Sequence, residues 1–155
     1  MLYVIAVMIL IFDQITKYLA VKHLKGKAVI TIIDNMLEFS YVENYGAAFG
    51  ILQNRKYFFI FMTSLVIVAI FVILVNNYNY LNKPMKVALA MLVGGSLGNL
   101  IDRIRLGYVI DFISVKFGNS YNFPVFNIAD SFIVIATILI VYMVIFNKYE
   151  VRRTI

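Results

Sequence analysis

Acidic residues are scarce in this sequence, and their positions point to one region. The 155-residue chain contains eight Asp and Glu residues, and three of them, Asp102, Asp111 and Asp130, lie in the stretch from Gly94 to Asp130 beside long apolar runs. An unpaired charge in or near hydrocarbon costs several kcal/mol. We therefore expect these carboxylates to be paired with other polar groups or to have a function. We take this stretch as the candidate functional site.

Two neighbouring carboxylates can carry out acid–base hydrolysis. They cannot both ionise easily, so one of them keeps a proton. The ionised group can take a proton from water while the other donates one to the substrate. Asp111, in a predicted strand, and Asp130, at the start of a predicted helix, are expected at the same membrane surface. This is the chemistry of an aspartic protease, which uses neither a metal nor a nucleophilic side chain.

Amide and guanidinium side chains accompany these acids. Asn127 precedes Asp130 by three residues, and Asn99 precedes Asp102 by three and Arg103 by four. Such spacings place each set on one face of a helix. The amides and the guanidinium could there orient a peptide backbone or hold a lipid headgroup.

The composition indicates a membrane protein. Hydrophobic residues make up 63% of the chain and charged residues 14%, against about 45–50% and about 25% in soluble domains. There is no cysteine and only one histidine, His23. The sequence therefore has few of the residues that a His/Cys metal site or a Ser/His/Asp triad requires. The basic residues behind the net charge of +6 are scattered, which favours lipid headgroups over nucleic acid as partners.

Four apolar runs predict four membrane-spanning helices with both termini on the same side. The cleanest run, Tyr57–Val75, is uncharged and would be about 28 Å long as a helix, close to the ~30 Å hydrocarbon core. The predicted spans cover about residues 2–21, 57–75, 86–102 and 128–146.

The connections predict a small β-sheet on one side of the bundle. The long loops 22–56 and 103–127 contain three strand candidates, at Val29–Ile33, Met36–Val42 and Tyr108–Phe117, with a turn at residues 118–120. The connection at residues 76–84 is a short polar turn whose proline stops a helix. The expected fold is therefore a single 155-residue domain, a membrane all-α bundle of four transmembrane helices with a small β element.

The same residues also allow purely structural roles. Asp130 or Asn127 could cap the fourth helix, and Asp111 could form a bridge with Arg103 or Arg105. Without further information these alternatives stay open beside the catalytic one.

Other polar or small residues in the spans have structural interpretations. Asp13 and Lys17, four residues apart, are predicted to form an ion pair within the bundle. Gly94 and Gly98 would allow another helix to approach closely. His23, at the end of a helix, is expected at the membrane interface.

Five motifs, in order, resemble those of the bacterial lipoprotein signal peptidases, signal peptidase II. They are DQITK at 13–17, NYGAAFG at 44–50, GGSLGNLIDR at 94–103, VIDFI at 109–113 and FNIAD at 126–130, and together they extend over essentially the whole chain. The resemblance implies an aspartic endopeptidase of the bacterial cytoplasmic membrane. Such enzymes remove the signal peptides of prolipoproteins by cutting before a cysteine that carries diacylglycerol.

The resemblance also implies roles for individual residues. Asp111 and Asp130 would be the catalytic pair. The positions that would line, support or hold together the site are Asn44, Gly46, Asn99, Asp102, Arg103, Asn127, Ala129, Asp13 and Lys17. The implied partners are prolipoproteins and membrane lipids, no cofactor or metal is expected, and nothing in the sequence requires more than a monomer.

Orientation is the point on which the residues and the resemblance differ. Eight Lys and Arg residues lie on the long-loop side and five on the other, which predicts cytoplasmic long loops. The resemblance implies the reverse, with cytoplasmic termini and the dyad at the extracytoplasmic surface, and we follow it. We further expect the loop 22–56 to lie across a groove as a lid that Gly46 and Gly50 allow to move.

Two other function classes fit parts of the pattern. In a small transporter or channel subunit, Asp13, Lys17, Asp111 and Asp130 would form an ion path, although most of the acids gather at one surface. A non-enzymatic assembly factor would tolerate Asp to Asn changes at positions 111 and 130.

Overall fold

The computed structural model describes residues 2–46, 51–117 and 121–151, with the side chain of Tyr121 left out. In these ranges it contains four helices that are long and apolar enough to cross a membrane. They are α1 (Leu2–Leu24), α2 (Lys56–Asn77), α3 (Lys83–Arg105) and α4 (Ile128–Ile145). The predicted fold class, a four-helix membrane bundle with a small sheet, is confirmed.

The third helix is longer than the sequence pattern predicts at both ends. It begins at Lys83 because the side chain of Asn82 caps it, accepting a hydrogen bond from the Met85 amide at 2.9 Å. Pro84 lies in its first turn, where the missing N–H has no helical partner to lose. The proline therefore helps to start α3, in addition to following the end of α2.

The helix α3 packs against each of the other three helices, and small residues allow the contacts. A Cβ added at Gly94 would lie 2.7 Å from the carbonyl oxygen of Ala6 on α1. One added at Gly95 would lie 2.7 Å from the carbonyl oxygen of Ala129 on α4. The predicted packing role is confirmed for Gly94 and for Gly98, whose added Cβ would meet the Asp13 side chain on α1, and Gly95 performs the same role towards α4.

The long loops form an antiparallel sheet with the strand order β1-β2-β3-β4. The strands are β1 (Ile30–Ile33), β2 (Leu37–Asn44), β3 (Val109–Phe117) and the two-residue β4 (Tyr121–Asn122). The turn between β1 and β2 places Asn35 at a φ of 56°, a left-handed conformation that asparagine tolerates. The predicted turn at 118–120 and the predicted hinge Gly50 lie outside the described residues.

The strand β3 joins the sheet to the bundle because its two faces have different partners. Ile110 and Phe112 pack with Ala20 and Leu24 of α1 in one buried apolar cluster. Asp111, between them, points to the other face and lines a cavity against α3 and α4. This alternation places the carboxylate of Asp111 at the edge of the helix bundle.

Candidate active site

The side chain of Asp130 is positioned by the start of α4. Asn127 caps this helix, and its Oδ1 accepts a hydrogen bond from the Asp130 amide at 2.9 Å. In return, Asp130 Oδ2 accepts one from the Asn127 amide at 3.2 Å, which completes a capping box. The remaining oxygen, Oδ1, accepts a hydrogen bond from Asn99 Nδ2 at 2.7 Å. The capping role considered from the sequence is therefore real, and it fixes the orientation of the acid.

Asp111 is held by two amide side chains. Its Oδ1 accepts a hydrogen bond from Asn127 Nδ2 at 2.6 Å, and its Oδ2 accepts one from Asn44 Nδ2 at 2.9 Å. The residue is only 1% exposed. Within the described residues, no ion pair involves Asp111, so the bridge to an arginine that the sequence allowed is not formed there.

The two acids line the same cavity, which has a volume of about 510 Å³. Burial raises the pKa of Asp111 to about 7, and the nearby carboxylate of Asp130 acts in the same direction. The amide hydrogen bonds oppose this rise without cancelling it. The arrangement can therefore keep a proton on the pair near neutral pH.

The amide of Asn99 has only one orientation that satisfies its neighbours. Its Oδ1 accepts hydrogen bonds from Lys17 Nζ at 2.8 Å and from Asn127 Nδ2 at 3.1 Å. Both are donors, so Nδ2 must point the other way, towards Asp130. Lys17 thus fixes the orientation of the Asn99 amide, which in turn donates a hydrogen bond to Asp130.

Lys17 is the centre of a buried ionic cluster. Its Nζ lies 2.9 Å from Asp13 Oδ2 and 2.9 Å from Asp102 Oδ2, and the lysine is 2% exposed. The predicted pair of Asp13 and Lys17 is confirmed. The second carboxylate that contacts Lys17 is that of Asp102. This contact was not predicted because it joins α1 to α3, and helical spacing within one segment cannot indicate a contact between two segments.

The two acids of this cluster hold the backbone beside each member of the candidate dyad. Asp13 Oδ1 accepts a hydrogen bond from the Ala129 amide at 2.9 Å, and Asp102 Oδ2 accepts one from the Ile110 amide at 3.2 Å. Ala129 and Ile110 directly precede the two dyad aspartates. The cluster therefore ties the start of α4 and the strand β3 to the bundle.

Gln14 belongs to the same cluster, although the sequence interpretation did not single it out. Its Nε2 donates to Asp102 Oδ1 at 3.1 Å and to the Gly98 carbonyl at 3.3 Å. A Cβ added at Gly98 would overlap the carboxylate of Asp13, so this glycine makes room for the acid. The signal that could have identified Gln14 is a polar residue inside an apolar span.

Arg103 lies at the rim of the cavity. Its Nη2 donates to the Gly46 carbonyl at 3.2 Å, and its guanidinium lies 4.8 Å from the ring centre of Phe59 on α2. The Gly46 amide in turn donates to Asn44 Oδ1 at 2.9 Å. Arg105, two residues further along, is exposed and outside the cavity lining. Phe59 was not predicted as a contact of Arg103, because it lies in a uniformly apolar span where no residue type stands out.

The cavity has a polar end and an apolar end. The polar end contains the aspartates, Asn44, Asn99 and Arg103. The apolar end is lined by Ile133, Val134 and Ile135 of α4. Because Val134 and Ile135 are also among the exposed apolar residues, the cavity reaches the lipid-facing surface of the bundle. The segment 123–126, which forms another wall, was not predicted.

Comparison with known proteins places this arrangement in a family. The sequence model described as signal peptidase (SPase) II matches residues 5–146. The chain belongs to the signal peptidase II family. A relative from Caldanaerobacter subterraneus subsp. tengcongensis, named lipoprotein signal peptidase, is 47% identical over 93% of this chain and 95% of its own length. Another of that name, from Clostridium tetani, is 39% identical over 97% and 96%.

Solved structures agree with this assignment. One bacterial membrane enzyme, determined by the in meso method at 2.3 Å, is 38% identical and matches with a TM-score of 0.84 over 93% of this chain and 87% of its own. A second, determined at 1.9 Å by the same method, is 38% identical with a TM-score of 0.78 over 91% and 90%. This chain is therefore a membrane protease of the signal peptidase II type.

Proposed function

We propose that this signal peptidase II removes the signal peptides of prolipoproteins by an aspartate-dyad mechanism, cutting before a cysteine that carries diacylglycerol. The observation that carries the proposal is the meeting of Asp111 and Asp130 at the polar end of a cavity whose other end reaches lipid. Such a cavity suits a substrate that is itself embedded in the bilayer, with its scissile bond near the surface.

The dyad divides the hydrolysis between its two members. The ionised carboxylate takes a proton from water, and the resulting hydroxide attacks the carbonyl carbon of the scissile peptide bond. The protonated carboxyl donates its proton to the carbonyl oxygen. When the C–N bond breaks, the leaving amine receives a proton from the dyad, and the new carboxyl terminus belongs to the signal peptide. The shared proton belongs to the pair and not to either residue alone.

Neutral amides are the suitable support for such a pair. The donors to the four carboxylate oxygens are the side chains of Asn44, Asn99 and Asn127 and the Asn127 backbone amide. Within the described residues, no lysine or arginine forms an ion pair with either acid. A directly bound cation would favour the fully ionised pair and remove the proton that the reaction needs.

The apolar end of the cavity receives the lipid-soluble parts of the substrate. A signal-peptide helix and acyl chains already lie in the bilayer, so they can enter from the side past α4 without passing through water. Arg103, at the rim, orients the substrate backbone or holds the glyceryl-ester region. The dyad and its hydrogen-bond donors are complete within one chain, so the proposed chemistry requires no second copy, and we expect the enzyme to act as a monomer.

We further place the enzyme in the bacterial cytoplasmic membrane with cytoplasmic termini and the dyad at the extracytoplasmic surface. The opposing charge count is less informative because two of the eight basic residues on the long-loop side form ion pairs within the protein. Lys25 forms an ion pair with Glu43, and Lys116 forms one with Glu38.

The proposal is tested with purified protein and a diacylglyceryl-modified prolipoprotein in detergent. Asp111→Asn and Asp130→Asn are each expected to lower kcat by about 10²–10⁴-fold, the usual contribution of acid–base catalysis, while the substrate still binds. Asp34→Asn, at an exposed acid in the turn between β1 and β2, is the matched control and should cleave normally. Near-normal turnover by either dyad variant would reduce that acid to a structural role and end the two-aspartate mechanism.

A further inference from the structure

A second group of polar side chains lies outside the cavity, around Glu43 on β2. Its Oε1 accepts hydrogen bonds from Lys25 Nζ at 2.9 Å and from the Tyr41 hydroxyl at 3.1 Å. Its Oε2 accepts one from the Tyr45 hydroxyl at 3.0 Å. The Lys25 ammonium also lies 5.2 Å from the ring centre of Tyr41. One carboxylate therefore connects the end of β2 to the residue that follows α1 and to two tyrosines. We call this group the Glu43 cluster.

The Glu43 cluster adjoins two residues of the active site along the chain. Asn44 donates to Asp111 at 2.9 Å. The Gly46 carbonyl accepts the hydrogen bond of Arg103 at 3.2 Å. Tyr45 lies between them, and β2 ends at Asn44, so the ladder of the strand does not hold the residues beyond that point.

Tyr45 is fixed by three contacts from different parts of the protein. Its hydroxyl donates to Glu43, its ring lies 5.3 Å from that of Tyr108, measured between ring centres, and its carbonyl accepts a hydrogen bond from the Asn54 amide at 3.1 Å. The contact with Glu43 also connects Tyr45 to Lys25, the residue that follows α1.

We propose that Glu43 is a positioning residue for peptide hydrolysis: by holding Tyr45, it keeps Asn44 on Asp111 and Gly46 on Arg103. This inference rests on the proposed dyad function and adds a residue to it that does not touch the reacting atoms. Active sites are sensitive to such support, since a displacement of about 1 Å can cost about 10²-fold in rate.

The carboxylate form of residue 43 is essential to this role. An ionised carboxylate only accepts hydrogen bonds, so its two oxygens can receive all three donors. Glutamine would replace one oxygen by an NH₂ group, which cannot accept from Lys25 or from a tyrosine hydroxyl. The hydrogen bonds from Lys25, Tyr45 and Tyr41 keep the pKa of Glu43 at about 2, so residue 43 is a carboxylate at neutral pH.

The test compares Glu43→Gln with Glu38→Gln. Glu38 is a matched control because it lies on the same strand and also forms a lysine ion pair, with Lys116 at 2.7 Å, but far along β2 from Asn44. In the prolipoprotein assay, we expect Glu43→Gln to lower kcat about fivefold with KM changed less than twofold. Glu38→Gln should keep the original kcat, and the two variants should have similar Tm values. Tyr45→Phe, which removes one hydroxyl, should reproduce the loss in part.

A double-mutant comparison distinguishes positioning from a general structural effect. If Glu43 acts through Asn44, adding Glu43→Gln to an Asn44→Ala enzyme should lower kcat much less than fivefold. Equal kcat for the two glutamine variants, or an undiminished loss in the Asn44→Ala background, would overturn the positioning role alone. Normal turnover by Asp111→Asn would instead overturn the dyad, and the positioning role would fail with it.

Discussion

At the scale of single residues, the candidate dyad combines burial with support from uncharged donors. Asp111 is buried at the edge of the bundle, and its oxygens contact the amides of Asn44 and Asn127. The ammonium of Lys17 contacts Asn99 and the carboxylates of Asp13 and Asp102. The positive charge of Lys17 is therefore paired with Asp13 and Asp102, and it does not form an ion pair with Asp111.

This electrostatic arrangement predicts a pH dependence of turnover. The folded pKa of Asp111 is raised from 3.8 to about 7, so the share of enzyme with a protonated dyad falls as the pH rises through about 7. We expect kcat/KM to decrease about tenfold per pH unit above that region. The measurement is a pH–rate profile of prolipoprotein cleavage, and Asp34→Asn should give the same profile. A profile that stays flat up to pH 9 would contradict the assignment of the proton.

At the scale of elements, close helix approach brings the acids together. Asp130 reaches Asn99 because α4 lies directly against α3, where Gly95 faces the carbonyl of Ala129. The backbone of Ala129 is in turn held by Asp13 of α1. Three helices, α1, α3 and α4, therefore meet at the start of α4, next to Asp130.

Enlarging the residue at this helix contact should damage both stability and activity. Gly95→Leu would force its side chain into the Ala129 carbonyl, and overpacking of this kind costs about 1–3 kcal/mol. We expect a lower Tm in detergent and a loss of turnover, since Asp130 moves with the start of α4. Thr137→Leu on the exposed face of α4 adds a similar apolar side chain without this contact. The prediction is wrong if the two variants have equal Tm values.

At the scale of the whole molecule, α1, α2 and α4 present many apolar residues outward, whereas α3 is largely buried among them, and the sheet lies on one end of the bundle. That end carries Asp111, Asp130 and the polar end of the cavity. The opposite end carries the short α2–α3 connection around Asn79. The two ends must therefore face different sides of the membrane.

The proposed orientation can be measured with single cysteines because the chain has none of its own. Asp34→Cys, in the turn between β1 and β2, should react with a membrane-impermeant maleimide added to intact cells. Asn79→Cys should react only after the cells are opened, since it lies at the other end of the bundle. The reverse pattern would show that the charge count was right and would place the dyad on the cytoplasmic side.

The sequence by itself determined the elements. Uninterrupted apolar length predicts membrane helices, and alternation predicts strands, because both are properties of contiguous residues; the spans, the three main strands and the pair of Asp13 and Lys17 follow from them. The order of five motifs further identified the family. Only the tertiary structure decided which distant residues share hydrogen bonds.

The contacts of Lys17 with Asp102, of Gln14 with the same acid, and of Asp111 with Asn44 join segments far apart in the chain. Local spacing carries no information about them, because they depend on how closely α1 and α3 approach and on the register of β2 against β3. The same reason explains why Phe59 and the segment 123–126 could not be predicted as cavity walls. Residue types specify what chemistry is available, and the packing of helices and strands decides which of those residues meet.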